Sequence, residues 1–180
     1  LAIMTQDTAS FMAHDPIFDE AYTILGGSDS SQFTGSDGND YIDGGSGDDT
    51  LIGGVGDDIL TGGLGVDTFA WLKGDDSADP SVYIAEDHIT DFDVDNDRLD
   101  LSELLDGETE TNLEQYLNFT FADGNTTIHI DTDGSDPLAV SQTIVLDGVD
   151  LSEVYVSSGD PVTNAAIIDG LMDDDALIIT

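Results

Sequence analysis

From Phe33 to Phe69 a large apolar residue falls on every ninth position: Phe33, Ile42, Leu51, Leu60 and Phe69. The residues between are glycine, aspartate and small polar types. Aligned on the apolar residue, four consecutive units read GSDGNDYID (35–43), GGSGDDTLI (44–52), GGVGDDILT (53–61) and GGLGVDTFA (62–70). Glycine holds the first and fourth places of each, and aspartate the sixth: Asp40, Asp49, Asp58 and Asp67. A degenerate unit, GGSDSSQFT (26–34), precedes them with Ser31 in the sixth place. Glycines at this spacing permit a tight turn with close backbone approach, and the last three residues suit a very short strand with one inward side chain. A fixed short period of this kind predicts a stacked repeat. A Gly/Asp-rich linker has no reason to keep an apolar residue in register.

Beyond the repeats the pattern loosens. Apolar alternation predicts short strands at Val82–Ala85, His88–Phe92 and Arg98–Leu101, then a helical turn opened by Ser102. Asn112–Leu117 reads as a short helix. Asn118–Ala122 and Thr126–Thr132 alternate at period two around Asp-Gly-Asn, a hairpin signal. Ala139–Val149 and Tyr155–Val156 read as further strands. Pro161–Met172 reads as a helix with Val162, Ala165, Ala166, Ile167 or Ile168, and Leu171 on one side, before a strand-like tail. The first 25 residues mix polar and apolar positions and are expected to cap an open solenoid end, with a helical turn around Phe18. Three segments result: a cap or linker at 1–25, the repeat and its continuation at 26–105, and a β-rich module at 106–180.

The repeats also carry the candidate chemistry. Turn carbonyls crowded beside a following aspartate are oxygen ligands of the kind Ca²⁺ takes in groups of six to eight. The alternating Asp91, Asp93, Asp95 and Asp97 suggest an EF-hand loop. Asn96 replaces its sixth-position glycine and Ser102 its closing glutamate, so that motif is rejected.

These units resemble the GGxGxDxUx nonapeptides of RTX (repeats-in-toxin) proteins. The resemblance implies a mostly all-β chain: a parallel calcium-binding β-roll with a capping N-terminal segment and a β-rich C-terminal module with one or two short helices. Two nonapeptides make one coil of such a roll, and ions lie between stacked turns. Asp40 would then face Asp58 across one Ca²⁺, and Asp49 would face Asp67 across another. The carbonyls of Gly35, Asp37, Gly44, Ser46, Gly53, Val55, Gly62 and Leu64 fall on the family's remaining ligand positions. Asp87, Ile89, Asp91 and Phe92, followed by Asp97, Leu99, Asp100, Leu101 and Ser102, resemble the segment that follows RTX repeats. That likeness implies further ligands among Asp87, Asp91, Asp97 and Asp100. Their own sequence context equally suits turn formers and solvated strand edges. Ile167–Thr180 resembles the uncleaved C-terminal signal of type I secreted proteins, which implies the type I secretion machinery as a partner.

Charge narrows the function classes. Two basic residues, Lys73 and Arg98, stand against forty acidic ones, for a net charge of −38. Self-repulsion of that size opposes compaction without counter-ions and disfavours nucleic acid and anionic membrane surfaces as partners. Cysteine is absent, and no apolar run is long enough to insert in a membrane. The chain begins at Leu1, which reads as a piece of a longer protein. His14, His88 and His129 are far apart, and neither a nucleophile elbow nor a phosphate loop occurs. The expectation is a non-catalytic, calcium-binding domain, monomeric in isolation, exported by type I secretion to the surface or exterior of a Gram-negative bacterium. An RTX adhesin is the expected parent, with an RTX protease or lipase as the alternative.

Overall fold

The computed structural model describes residues 2–5, 11–12, 21–75, 84–105, 112–132, 134, 140–157 and 159–179. The repeats form five three-residue strands. These are β4 (Gln32–Thr34), β5 (Tyr41–Asp43), β6 (Thr50–Ile52), β7 (Ile59–Thr61) and β8 (Thr68–Ala70). Each puts its middle residue inward. Successive strands go to opposite walls, so hydrogen-bonded neighbours lie eighteen residues apart: Phe33 pairs with Leu51 and Leu51 with Phe69 on one wall, Ile42 with Leu60 on the other. All of these pairings are parallel, and the five inward side chains are buried. This is the two-walled parallel β-roll that the resemblance to RTX nonapeptides implies.

The roll is extended at both ends. Before the repeats, β1 (Ala2–Thr5) pairs in parallel with β3 (Tyr22–Leu25), which pairs with β5, while β2 (Phe11–Met12) pairs with β4. The helical turn expected around Phe18 lies outside the described residues. After the repeats, β9 (Ala85–Ile89) stacks on β7 and β10 (Arg98–Asp100) stacks on β8. Leu60 is now paired with Ile89, and Phe69 with Leu99, so the coil has lengthened but the inward rows continue. Phe92 folds over the end of the row with its ring 6.1 Å from that of Phe69, tilted by 54°.

Three elements differ from expectation. A single strand over Ala85–Ile89 replaces the two expected at Val82–Ala85 and His88–Phe92, and residues 81–83 lie outside the described chain. Glu86 and Asp87 looked like turn residues, but Asp87 points inward with Ala85 and Ile89. Residues 113–115 form one turn of 3₁₀ helix rather than a longer helix. The strand expected at Tyr155–Val156 is the end of helix α1 (Leu151–Tyr155), because Asp150 caps its start by accepting the Ser152 amide at 3.0 Å.

The C-terminal module is stitched into both walls. Strands β11 (Leu117–Ala122) and β12 (Asn125–Ile130) form the expected hairpin, with positive φ at both Asp123 and Gly124 as a type I′ turn requires. Next comes β13 (Gln142–Leu146), which pairs antiparallel with β12 and parallel with β9. Helix α2 (Asn164–Asp173) is capped by Thr163 and buries Ile167, Ile168 and Leu171, whereas Val162 is exposed. Finally β14 (Leu177–Ile178) pairs in parallel with β10. The result is an eight-stranded sheet, β1-β3-β5-β7-β9-β13-β12-β11, facing a six-stranded one, β14-β10-β8-β6-β4-β2. No helix among the described residues is long and apolar enough to cross a membrane.

Adjacent residues on one short strand test the two-walled packing. Leu60→Ala should cost about 2–5 kcal/mol, because a sealed row cannot collapse around the cavity. Ile59→Ala, on the half-exposed outer face, should cost less than about 1 kcal/mol. Denaturant unfolding in saturating calcium reads both, and equal losses would contradict the inward and outward assignments.

Candidate metal centre

The turns that precede the strands are not all alike. In units two to four the glycines at the second and fourth places adopt positive φ, with Gly54 at +101° and Gly56 at +134° in unit three. A Cβ on Gly54 would also strike the Ser36 carbonyl of the preceding coil, so glycine is required there twice over. Unit one has Ser36 in its second place and lacks this conformation. The chain thus has three turns of one type, at 44–49, 53–58 and 62–67.

Each turn ends on its aspartate, and the aspartates build a ladder along each edge. The amide of Asp40 donates to Asp58 Oδ1 at 2.8 Å, and that of Asp58 to Asp87 Oδ1 at 2.9 Å. On the other edge the amide of Asp49 donates to Asp67 Oδ1 at 2.8 Å, and that of Asp67 to Asp97 Oδ1 at 2.9 Å. The Tyr22 and Ser31 amides begin the two series on Asp40 and Asp49. The expected partners Asp40 with Asp58, and Asp49 with Asp67, are therefore neighbours in adjacent coils. Asp87 and Asp97 continue the series although the spacing has grown to 29 and 30 residues.

One oxygen of each carboxylate is thus spoken for, and the fate of the second divides them. Oδ2 of Asp49, Asp58 and Asp67 is buried and finds no hydrogen-bond partner among the described residues. Buried carboxylate oxygens are ordinarily satisfied, so three such atoms, one on the first edge and two on the second, require an explanation. The surroundings supply one. A point beside the Gly44 α-carbon, where a side chain would begin, lies 2.7 Å from the Gly62 carbonyl and 2.8 Å from Asp49 Oδ2. Carbonyl and carboxylate oxygens facing a point that only glycine leaves open are two donors of the kind that Ca²⁺ takes in groups of six to eight. Among the described residues no three His, Asp or Glu side chains gather as a metal-binding group, so a cation there would rely on main-chain carbonyls for much of its shell. The donor set fits Ca²⁺.

Electrostatics agree. Burial pushes the Asp58 carboxyl up to about 8, with the negative charge of Asp87 adding to the rise. Burial also raises Asp67 to about 6, and raises Asp49 against the opposing effect of the Ser31 amide. Without a cation these groups resist ionisation.

The remaining sequence candidates take other places. Asp40 directs Oδ2 to the Ser36 amide and hydroxyl, and Asp97 directs its own to the Asp93 amide at 2.9 Å. Asp87 Oδ2 accepts from Trp71 Nε1 at 2.7 Å and from Gln142 Nε2 at 2.8 Å. Asp91 grips the Gly62 and Gly63 amides, one with each oxygen. Asp100 stands off the ladder and closes its own turn on the Ser102 amide and hydroxyl, so Asp100 rather than Ser102 caps that turn. Among the candidate carbonyls, Leu64 accepts the Gly47 amide at 2.8 Å, while those of Gly44, Gly53 and Gly62 lie against the first glycine of the preceding coil. The structure puts Gly35, Asp37, Ser46 and Val55 in the turns, with the Ser46 and Val55 amides bonded to carbonyls of the coil before. His88 sits between Asp147, at 3.2 Å, and Glu86, and His129 contacts Thr120, so the two are not joined in one site.

A second ladder escaped the sequence reading. The fifth-place side chain of each coil accepts the fifth-place amide of the next: Asp48 N to Ser30 Oγ (2.9 Å), Asp57 N to Asn39 Oδ1 (3.1 Å), Val66 N to Asp48 Oδ1 (3.0 Å) and Glu86 N to Asp57 Oδ1 (2.9 Å). Serine, asparagine and aspartate share an acceptor oxygen at that reach, which was the available signal. The sixth-place ladder points back along the chain and the fifth-place ladder forward.

The raised carboxyls set the sign of the pH dependence. Unfolded aspartate titrates near 3.9, so from about pH 4 to 8 the metal-free folded state binds more protons than the unfolded one. Its stability is fullest below about pH 4 and is lost as pH rises through about 6 to 8. In chelator, the folded fraction should therefore fall between about pH 5.5 and 8. Asp58→Asn should leave more folded chain than wild type in chelator at pH 8 while raising the calcium concentration needed for folding. Circular dichroism against pH, with and without calcium, reads both effects, and a metal-free protein that gains strand signal toward pH 8 would contradict them.

Comparison with known proteins gives the same architecture. Residues 18–167 match the family model described as peptidase M10 serralysin C terminal. The solution structure of the R3 subunit of AlgE6, a mannuronan C5-epimerase from Azotobacter vinelandii, superposes with a TM-score of 0.56 at 26% identity, covering 84% of this chain and 89% of that one. The R2 subunit of the same enzyme gives 0.52 at 22% identity, over 98% and 91%, and supports the fold alone. No curated protein sequence matches the chain. The period-nine turns, the two-walled roll and a family match across most of the residues lead to one assignment: the chain belongs to the serralysin C-terminal family of RTX-type β-rolls.

Proposed function

We propose that this chain is a non-catalytic domain that folds on binding Ca²⁺ outside the cell and carries an uncleaved type I secretion signal at its end. The observation that carries the calcium reading is the set of buried, unpartnered oxygens on Asp49, Asp58 and Asp67, two on one edge of the roll and one on the other, with the Gly62 carbonyl facing that of Asp49 beside Gly44. Calcium would supply there the positive charge that lets three buried carboxylates ionise and would tie adjacent coils through shared oxygens. Each ion bound by the folded chain alone adds its binding free energy to folding. At cytosolic calcium the chain, with its net charge of −38, repels itself and stays extended. At roughly 10⁻⁴ to 10⁻³ M, the range of extracellular modules, it closes.

The secretion reading rests on the form of Ile167–Thr180 and on where the fold takes it. Ile167, Ile168 and Leu171 are buried, and Leu177 is paired with Leu99 on the roll. A receptor for that segment would meet it only before the roll closes, which agrees with export of an unfolded chain through type I machinery in a Gram-negative bacterium. The parent is an RTX adhesin or an RTX hydrolase. The strong acidity favours the adhesin. The two kinds of protein matched, a serralysin and an epimerase, are enzymes by name and favour a module appended to an enzyme. The domain's own role is the same in both.

Circular dichroism with calcium, magnesium and chelator in turn tests the switch. A strand spectrum that appears with calcium and is lost on chelation is expected, and one indifferent to chelation would defeat the proposal. Deleting residues 167–180 should hold a reporter fusion inside the cell, whereas efficient export without them would remove the signal assignment.

A further inference from the structure

Asp87 belongs to the ladder by its first oxygen and departs from it by its second. It points inward from β9, buried among Ala85, Ile89 and Ile144. Its Oδ1 accepts the Asp58 amide like any other rung. Its Oδ2 receives two side-chain donors from different parts of the chain: the Trp71 indole, just after β8, at 2.7 Å, and the Gln142 amide, on β13, at 2.8 Å. The indole nitrogen is a donor only. The Gln142 amide is held in the donating orientation because Nε2 also reaches the Thr143 carbonyl at 3.3 Å, and a flip would turn Oε1 onto two acceptors. A cation at this oxygen would have to displace both donors inside the core. Asp49, Asp58 and Asp67 present no such obstacle.

We propose that Asp87 ends the cation ladder instead of extending it, taking no ion at its inner oxygen and tying the C-terminal sheet to the roll through Gln142 and Trp71. This rests on the calcium reading of the preceding section. The contact spans three segments, so the last rung of an ion-dependent edge becomes a metal-free latch. Calcium bound at Asp58 orders the peptide whose N–H holds Asp87, and that order passes to the module through the latch.

Counting bound calcium by native mass spectrometry on the full chain tests this. Asp58→Asn should lose at least one ion relative to wild type. Asp87→Asn keeps an acceptor for the Asp58 amide but turns an N–H₂ toward two donors. It should retain the wild-type count while the emission of Trp71, the only tryptophan, shifts to longer wavelength as the latch opens. Gln142→Leu, which removes one donor and leaves the carboxylate, serves if Asp87→Asn does not fold, with the same expected count and shift. A lower ion count in the folded Asp87→Asn protein, or unchanged Trp71 emission in Gln142→Leu, would overturn the inference while leaving the calcium reading intact. A wild-type chain that binds no calcium would overturn both.

Discussion

Everything in this fold depends on carboxylates being placed where each must satisfy the coil beside it. An aspartate at the end of every turn gives one oxygen to an amide eighteen residues earlier, which fixes coil on coil. That arrangement buries the second oxygen as well, and a buried anion without a partner costs several kcal/mol in effective terms. The apolar rows that line the roll are narrow, one side chain per nine residues, and cannot easily absorb three such costs. Stability is thereby made conditional on charge being neutralised at those points. This links the composition of the chain to the proposed calcium switch more directly than its total acidity does.

The four canonical-looking units divide into classes that their consensus conceals. Unit one is closed by a serine in place of a glycine, so Asp40 is satisfied by its own turn. Units two to four keep the double left-handed turn and the unpartnered oxygens. At the far ends the ladders stop on protein donors: Trp71 and Gln142 at one edge, the Asp93 amide at the other. The result is a short stretch with unpartnered carboxylate oxygens, bounded by aspartates whose second oxygens have protein donors.

The roll was legible in the sequence because its period is its geometry. The period gives the inward residues, and the RTX resemblance gives two units per coil; together they set a register of eighteen, with Ile42 over Leu60 and Leu51 over Phe69. Past Ala70 the coil grows by an insertion, and spacing no longer tells which residue lies under which. Asp87 and Asp97 were within reach only through the resemblance of their surroundings. The parallel pairing of β13 with β9 had no local signal, since alternation marks a strand without naming its partner. Tyr155 and Val156 show the opposite failure, where β-branched and aromatic preference lost to an aspartate cap. The second oxygen of Asp87 was illegible for the same reason as β13: its donors are 16 and 55 residues away.

The docking of β14 on β10 has one more consequence. A parallel roll ends in an open edge, a row of unpaired amides and carbonyls that any strand can extend, including the first coil of a second molecule. On the six-stranded wall that edge is covered by two residues, Leu177 and Ile178, held down by the helix before them. A segment so short leaves little length for another strand to copy. Two residues at that edge make this side of the six-stranded wall a poor template for head-to-tail pairing with a second copy.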